Sequence, residues 1–303
     1  MAGKTFKDVA EAFIDRKEGG WRNDKHRQQW RNSLATYVYP HFGDMPVAQI
    51  ETEHVLNALE PIWGVKAETA SRVRGRIENV LDAAKVQCLR SGENVARWRG
   101  HLEHLLPKPG KLTRGHHPAL PYDALPTFMA ALRQRGEVGA RALEFTILTV
   151  ARSGEVLGAT WGEIDLEKAQ WTVPAERMKA GKEHSIPLAP RAVDILRLVQ
   201  PLNLQLRADA PLFPNSKGRM LSSMAMSMVL RRMDRGDITV HGFRSTFRDW
   251  AGETTSFPRE VVEHAMAHQL ADKAEAAYQR GTLFPKRIKL MDAWGEYCGS
   301  PLS

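Results

Sequence analysis

One segment of the sequence suits neither a helix nor a strand, and it divides the chain in two. From His104 to Pro121 the chain carries four prolines and two glycines, and it carries no acidic residue. Proline removes a backbone donor and stiffens the chain, so such a run predicts a linker between domains. We expect a first domain over residues 1–105, a linker over 106–120 and a second domain over 121–303. The alternative is a surface loop.

Composition narrows the class of protein before any motif is considered. The 303 residues suffice for two domains, and 43% of them are hydrophobic and 26% charged, as is usual for a globular protein. No run approaches the ~18–20 apolar residues of a membrane span, and the N-terminus lacks the apolar core of a signal peptide. The two cysteines, Cys88 and Cys298, lack metal-ligand spacing. This argues against a disulfide scaffold and favours a reducing cytoplasmic setting.

An excess of positive charge points to a polyanionic partner. The formal net charge is +8 and the pI is about 9.6. Residues 1–118 hold 19 Lys and Arg against 14 Asp and Glu, so this part carries more than half of the excess. The linker adds Lys108, Lys111 and Arg114 with no acidic neighbour. These three residues are candidate contacts to DNA phosphates.

The segment before the linker is predicted to be all-helical. Capping residues and helix breakers predict four helices, bounded by Thr5 and Gly19, by Asn23 and Gly43, by Thr52 and Pro61, and by Thr69 and Ser91. On the fourth helix three arginines lie off the apolar stripe: Arg72, Arg74 and Arg76. They are candidate DNA-binding residues, and the alternative is an ordinary solvated face. The pattern alone leaves both open.

The segment after the linker predicts helices around one small sheet. Two helices come first, over 122–133 and 138–150, and the second is almost wholly apolar and therefore buried. Three short runs with tight links then predict an antiparallel sheet, over 164–166, 170–173 and 184–187. Helices return from Pro190 to the end of the chain. The predicted fold class is mainly α with a small antiparallel β-sheet (α+β).

Two cations of this second segment are candidates for chemistry on an anion. Arg152 directly follows the buried helix, where a guanidinium is costly unless it meets an anion. An internal partner such as Glu155 would give it a structural role instead. Lys179 lies in the turn between the second and third strands, with Lys182 as its rival. Taken alone, each of these residues is more typical of a structural or exposed position.

Four further residues extend this series along the chain. Arg244 follows His241 by three residues at the start of a helix, so both side chains lie on one helical face and reach one ligand. His268 comes next, with His264 as its rival, and Tyr278 lies ten residues beyond His268. No single residue is decisive, and the order and intervals of the whole series carry the argument.

Arginine, turn lysine, H-x-x-R, histidine and tyrosine at these intervals resemble the catalytic domain of the tyrosine recombinases. The likeness is greatest to the integrases of phages and mobile genomic islands, and it covers residues 119–297. His241 and Arg244 match the second box of the family, whereas the two residues before His268 depart from its usual Leu-Gly. Of the five tyrosines, Tyr278 is at the expected distance. The helices before the linker resemble the family's core-binding domain, with less specific motifs.

This resemblance implies transesterification of a DNA phosphodiester through a 3′-phosphotyrosyl intermediate, with no cofactor and no metal ion. The tyrosine hydroxyl attacks phosphorus, and fixed cations stabilise the charge that grows on the phosphorane. In the implied mechanism Tyr278 is the nucleophile, and Arg152 and Arg244 clamp the phosphate. Lys179 is the general acid, and His241 assists proton transfer from the nucleophile. His268 forms a hydrogen bond to a non-bridging oxygen, and Glu155 orients the site.

Two other functions stay open beside that of a DNA integrase or excision enzyme. One is a DNA-relaxing enzyme similar to type IB topoisomerases, which shares the tyrosine and arginine chemistry. The other is an inactive, DNA-binding remnant of an integrase. The integrase-like intervals favour the first function over the topoisomerase. All catalytic positions hold the expected residue types, which argues against a remnant.

The resemblance also implies partners and a location. We expect double-stranded DNA at attachment sites, a homo-tetramer during synapsis, accessory DNA-bending or excision proteins and no membrane, at the nucleoid of a bacterium. The last amphipathic helix, around Phe284 and Trp294, either packs into a neighbouring protomer or folds back on its own domain. Many island integrases begin with a domain that binds arm sites, and we expect this chain to lack it.

Overall fold

The computed structural model describes residues 3–21, 24–108, 118–202, 207–268 and 281–300. The chain forms two compact units, Met1–Arg114 and Gly115–Ser303. Each unit has its own cluster of buried apolar side chains. None of the described helices is long and apolar enough to cross a membrane.

Four helices make up most of the first unit: α1 Phe6–Glu18, α2 Asp24–Tyr37, α3 Thr52–Trp63 and α4 Ala67–Val86. The first helix begins as predicted, because Thr5 Oγ1 accepts a hydrogen bond from the Asp8 amide at 3.2 Å. The Asp8 carboxylate in turn accepts one from the Thr5 amide at 3.0 Å, which completes a capping box. The apolar stripe of α4 packs against α1 and α3.

Two helix boundaries in this unit differ from the prediction. The third helix does not stop at Pro61 but continues to Trp63, which is buried and donates from Nε1 to the Pro107 carbonyl oxygen at 2.9 Å. Core packing of the last turn outweighs the backbone bond that proline removes. The fourth helix begins at Ala67, two residues before Thr69, so Thr69 is not its cap.

The second unit has eight described helices: α5 Leu125–Arg133, α6 Val138–Thr149, α7 Ser153–Leu157, α8 Pro190–Val199, α9 Ala225–Arg232, α10 Gly242–Thr254, α11 Arg259–Ala265 and α12 Phe284–Tyr297. The apolar helix α6 lies at the centre, because α5, α7, α8, α9 and α12 all pack on it. Its burial confirms the prediction from composition.

A small sheet packs beside this helical core. Its strands are β1 Ile164–Asp165, β2 Gln170–Val173 and β3 His184–Pro187, all antiparallel and in the order β1-β2-β3. In the register of β2 and β3, Trp171 pairs with Ile186, and both side chains are buried. The predicted α+β fold class is therefore confirmed.

The last helix folds back on its own unit. Leu290, Met291 and Trp294 of α12 are buried, and Trp294 Nε1 donates to the Ile147 carbonyl oxygen of α6 at 2.9 Å. Within this one chain the helix therefore packs on the core of its own unit.

Candidate active site: two arginines and a histidine held by the main chain

Two residues in a strained backbone conformation lie at the site. Val150, which follows α6, has a φ of +54°, and Ala267, which follows α11, has a φ of +50°. This left-handed region disfavours side chains, and β-branched ones most of all. Each residue turns its carbonyl oxygen toward an arginine, Val150 toward Arg244 and Ala267 toward Arg152. The backbone is thus strained where the two predicted arginines are held.

Arg152 lies at the start of α7 and is fixed by Glu155. Its Nη1 donates to Glu155 Oε1 at 2.7 Å, and its backbone amide donates to Oε2 at 2.8 Å. The Nη2 group donates to the Ala267 carbonyl oxygen at 3.3 Å. Glu155 is buried, whereas 25% of the Arg152 side chain is exposed. The carboxylate therefore orients a guanidinium that keeps an open edge.

Arg244, in the first turn of α10, is only 6% exposed and is held by carbonyl groups. Its Nη1 donates to the Val150 carbonyl oxygen and its Nη2 to that of Met266 at 2.5 Å. Within the described part of the chain, no carboxylate forms an ion pair with it and its Nε lacks a partner. Burial, then repulsion by Arg152, lowers the pKa of Arg244 to about 10. Because this pKa is still well above 7, Arg244 stays charged at neutral pH. The carbonyls that bind it stabilise the cation without cancelling its charge.

The His268 ring lies between Arg244 and Glu263. Its Nδ1 is 2.6 Å from Glu263 Oε2, and its Nε2 is 3.0 Å from Arg244 Nη2. Burial lowers the pKa of His268, and the hydrogen bond to Glu263 opposes that shift. His268 is the histidine whose ring lies at Arg244, which favours it over its rival His264.

The turn between β2 and β3 carries the two candidate lysines at the surface. Lys179 and Lys182 are both exposed, so exposure does not choose between them. The base of the turn is anchored by Arg177, which donates to the Glu155 carbonyl oxygen. This contact ties the hairpin to the segment that carries Arg152.

His241 directly precedes α10 and is exposed. Its carbonyl oxygen accepts a hydrogen bond from the Arg244 amide at 3.1 Å, so the two residues share the first turn, as their spacing predicts. Tyr278, the predicted nucleophile, lies outside the described residues. The structure thus brings together Arg152, Glu155, Arg244 and His268, and it places Lys179 and His241 on neighbouring elements.

Three polar residues of this region are absent from the sequence-based predictions. Glu263 is one, and the other two form a contact between β3 and α12. Arg287 is 2% exposed and donates to the Ser185 carbonyl oxygen, and its Nη2 lies 3.4 Å from His184 Nε2. Burial, then Arg287, lowers the pKa of His184 to about 3, and burial lowers that of Arg287 to about 10. Ser185 and Arg287 are 102 residues apart, so no local pattern reveals them.

The arginines of α4 differ in how firmly the first unit holds them. Arg72 is 63% exposed and pairs with Glu68 on the same helix. Arg74 is 16% exposed and donates to Glu78 at 2.6 Å and to the Ala96 carbonyl oxygen at 2.7 Å. Arg72 is therefore accessible to a ligand, whereas the bonds of Arg74 are used inside the unit.

Arg76 lies in a surface cleft between α2 and α4. Its guanidinium is 5.3 Å from the centre of the Trp30 ring and donates to the Gln29 carbonyl oxygen at 2.8 Å. The cleft has a volume of about 490 Å³ and is lined by His26, Gln29, Trp30, Arg72, Gly75, Arg76 and Asn79. Of the linker residues, Lys108 is exposed, while Lys111 and Arg114 lie outside the described residues.

Comparison with known proteins identifies the family. The phage integrase central domain matches residues 6–101, and the phage integrase family matches residues 119–282. Prophage integrase IntA of Escherichia coli K12 is 29% identical over 96% of this chain and 69% of its own length. The integrase of Enterobacteria phage P4 is 27% identical over 91% of this chain and 65% of its own length. This chain thus spans about two thirds of either relative.

The fold is also that of a solved integrase. A lambda integrase tetramer bound to a Holliday junction superposes with a TM-score of 0.67 and 14% identity, over 90% of this chain and 77% of that one. The phage integrase family match alone covers more than half of the chain, and it spans the segment that holds Arg152, Arg244 and His268. The chain therefore belongs to the phage integrase family of tyrosine recombinases, and it is a site-specific DNA recombinase.

Proposed function

We propose that Arg152, Arg244 and His268 bind the scissile phosphodiester of a duplex attachment site and that Tyr278 attacks it. The observation that supports this best is the charge of Arg244. Glu155 pairs with Arg152, whereas carbonyl groups hold Arg244 and leave its charge for a ligand. A phosphodiester supplies one negative charge and two non-bridging acceptor oxygens, which complement such a site.

Cleavage then follows from the chemistry of the residues. The Tyr278 oxygen forms a bond to phosphorus as its proton passes to His241. The bond from phosphorus to the 5′-oxygen breaks, and Lys179 gives that oxygen a proton. The two arginines and His268 stabilise the pentacoordinate phosphorane between these events. The products are a 3′-phosphotyrosyl bond and a free 5′-hydroxyl, so the energy of the phosphodiester is kept and no ATP is needed.

Recombination requires a second DNA strand and further copies of the protein. The 5′-hydroxyl of a partner strand attacks the phosphotyrosyl bond and reverses the first step. We propose that four copies hold two attachment sites during this exchange, as in the lambda integrase assembly, and that the reaction integrates or excises a mobile element at the nucleoid. Accessory DNA-bending or excision proteins would assist.

The two units divide this work in the proposal. The unit before the linker is a core-binding domain, and the unit after it is the catalytic domain. Phosphate contacts of the first domain and the linker come from Arg72, Arg76, Lys108, Lys111 and Arg114. The accessible guanidinium of Arg72 and the polar cleft around Arg76 support this placement. Arg74 is less accessible than Arg72, and because its bonds are made inside the unit it makes no phosphate contact.

A nicked duplex tests the proposal. When the nick lies next to the cleavage site, the short 5′-ended strand diffuses away and the covalent adduct accumulates. We expect wild-type protein to form this adduct and Tyr278→Phe to abolish it. Tyr122→Phe is the matched control, because it removes an exposed tyrosine hydroxyl of the same unit, and it should form the adduct normally. An adduct with Tyr278→Phe would reject the assignment.

Strand exchange separates an integrase from a DNA-relaxing enzyme. With two attachment sites on separate duplexes, we expect joined products that carry one end of each. Relaxation of a supercoiled plasmid without exchange would instead favour the topoisomerase-like alternative. A protein that binds the duplex but forms no adduct would be the inactive remnant.

A further inference from the structure

The carboxylate of Glu263 lies against the ring of His268. We propose that Glu263 is a positioning residue that lets His268 take up one proton when a DNA phosphate enters the site. This inference rests on the proposed function, because the phosphate is the one bound by Arg152 and Arg244. In the free protein His268 Nε2 accepts a hydrogen bond from Arg244. In the complex the same nitrogen donates a hydrogen bond to the phosphate.

The geometry fixes which ring nitrogen carries the proton. Glu263 Oε2 lies 2.6 Å from His268 Nδ1, and an ionised carboxylate only accepts hydrogen bonds, so Nδ1 carries the hydrogen. In a neutral ring Nε2 is then an acceptor. Its neighbour at 3.0 Å is Nη2 of Arg244, which only donates. A neutral His268 therefore has no N–H left for a phosphate oxygen.

A phosphate reverses this arrangement. Its oxygens accept hydrogen bonds, and they compete with His268 Nε2 for the Arg244 donor. Once Nε2 has taken a proton from solvent, its new N–H and Arg244 Nη2 both donate to the phosphate instead of to each other. Solvent reaches the ring, because 38% of the His268 side chain is exposed.

The surrounding charges decide when the proton is taken up. Arg244 on α10 and Arg152 at the start of α7 face the ring and oppose a third positive charge. Glu263 on α11 favours it, and the phosphate adds a negative charge that the free protein lacks. Burial and the two arginines lower the pKa of His268 in the free protein, and the negative charge of the phosphate opposes the repulsion by the arginines, so the pKa rises on binding.

Glu263 is held rigidly for this role. It is 9% exposed, and its Oε1 is 3.3 Å from Arg248 Nε on α10. Its backbone oxygen also accepts the His268 amide at 3.0 Å. One residue thus fixes both the main chain and the ring of His268. Glutamine at this position keeps the shape and the hydrogen-bond acceptor but loses the charge, which separates positioning by charge from simple packing.

The pH dependence of adduct formation on the nicked duplex tests the inference. In wild type we expect the rate to fall as the pH rises through the DNA-bound pKa of His268. Glu263→Gln should move this fall to lower pH by about one unit or more, with a rate within about threefold of wild type on the acid side. Glu263→Asp keeps the charge and should restore part of the shift. Glu260→Gln, the same change one turn earlier on α11, should follow the wild-type curve.

Proton uptake is measured directly by calorimetry. Binding of the nicked duplex by Tyr278→Phe is titrated in two buffers of different ionisation enthalpy. We expect more protons taken up by this protein than by the same protein with Glu263→Gln. Equal uptake, or a pH profile of Glu263→Gln that falls evenly at every pH, overturns the inference and leaves Glu263 a structural role. No adduct from wild type at any pH would overturn the proposed function instead.

Discussion

Arg31 of the first unit and Arg244 and Arg287 of the second are held in different ways. In the first unit Arg31 donates to Glu11 at 2.9 Å and to Asp15 at 2.5 Å, so neighbouring acids cancel its charge. In the second unit Arg244 and Arg287 are 6% and 2% exposed, and both donate to main-chain carbonyls. The first arrangement stabilises a fold, whereas the second keeps a positive charge available.

The carbonyl-held arginines are costly to the folded state. Burial lowers the pKa of both Arg244 and Arg287 to about 10, which means that the charged form is less stable there than in water. At Arg244 an entering phosphate compensates this loss of stability, because the phosphate brings a negative charge and hydrogen-bond acceptors to a guanidinium that is already desolvated. Stability given up in the free protein therefore appears as affinity for the anion.

Replacing Arg244 tests this comparison with the largest expected effect. Arg244→Lys keeps the charge, but one ammonium group cannot serve two carbonyls and a phosphate oxygen as a guanidinium fork does. We expect the rate of adduct formation to fall by about 10³-fold, measured in single-turnover reactions with the nicked duplex. Arg31→Lys in the first unit should leave the rate of the chemical step unchanged.

A thermal melt accompanies both variants, because Arg244 also anchors Val150 and Met266. A folded Arg244→Lys protein with a rate within about threefold of wild type would contradict the proposed role of the carbonyl-held charge.

The hairpin lysines offer the opposite case, since their charges are exposed rather than buried. We expect Lys179→Ala to lower the rate of adduct formation by about 10²-fold through loss of the general acid. A substrate with sulfur in place of the leaving 5′-oxygen should recover the rate, because a thiolate leaves without a proton. Lys182→Ala should match wild type on both substrates. The reverse result for the two lysines would assign the general acid to Lys182.

The sequence, through its resemblance to the family, suffices to predict residues that the structure brings together. Arg152, Arg244 and His268 are predicted from residue type and order, and all three meet around the segment that follows α11. Local signals also predict helix starts, as at Thr5, where the cap and its partner lie three residues apart. Such a helix start depends on neighbours in the sequence, so the sequence alone reveals it.

The partners of each charge depend on tertiary packing and could not be predicted. No sequence pattern indicates that Val150 takes a left-handed conformation and turns its carbonyl oxygen to Arg244, because packing around the end of α6 decides it. The same holds for Arg287, whose partner Ser185 is 102 residues away, and for the extension of α3 past Pro61, where burial of Trp63 overrides the proline.

The half-buried His184 beside Arg287 gives the second unit a response to acid that an exposed histidine lacks. The pKa of His184 falls from 6.5 to about 3 on folding, so between these values the unfolded chain binds one more proton. Stability is therefore lost as the pH drops. From about pH 7.5 to about pH 5 this residue should account for about 2 kcal/mol.

Calorimetric unfolding of the second unit at the two pH values measures how much His184 contributes to the loss of stability in acid. His184→Gln should be less sensitive to acid than wild type, whereas His104→Gln, at an exposed position of the first unit, should not differ from it. An unchanged acid response in His184→Gln would show that other groups cause the loss.

The smallest effects are expected on α4, where two arginines separate binding from stability within one helix. Arg72→Ala removes an exposed charge whose pair with Glu68 is worth about 0.3–0.5 kcal/mol, so the melting temperature should hardly change. As a phosphate contact, its loss should reduce the slope of log affinity against log salt by about 0.9. Arg74→Ala should do the opposite, with a loss of about 1–2 kcal/mol of stability from its bonds to Glu78 and Ala96 and an unchanged slope.

The melting temperature and the salt slope are both measured on Tyr278→Phe protein, so that no covalent adduct distorts the equilibrium. If Arg74→Ala alters the slope and Arg72→Ala does not, accessibility is the wrong criterion for choosing DNA contacts on this helix.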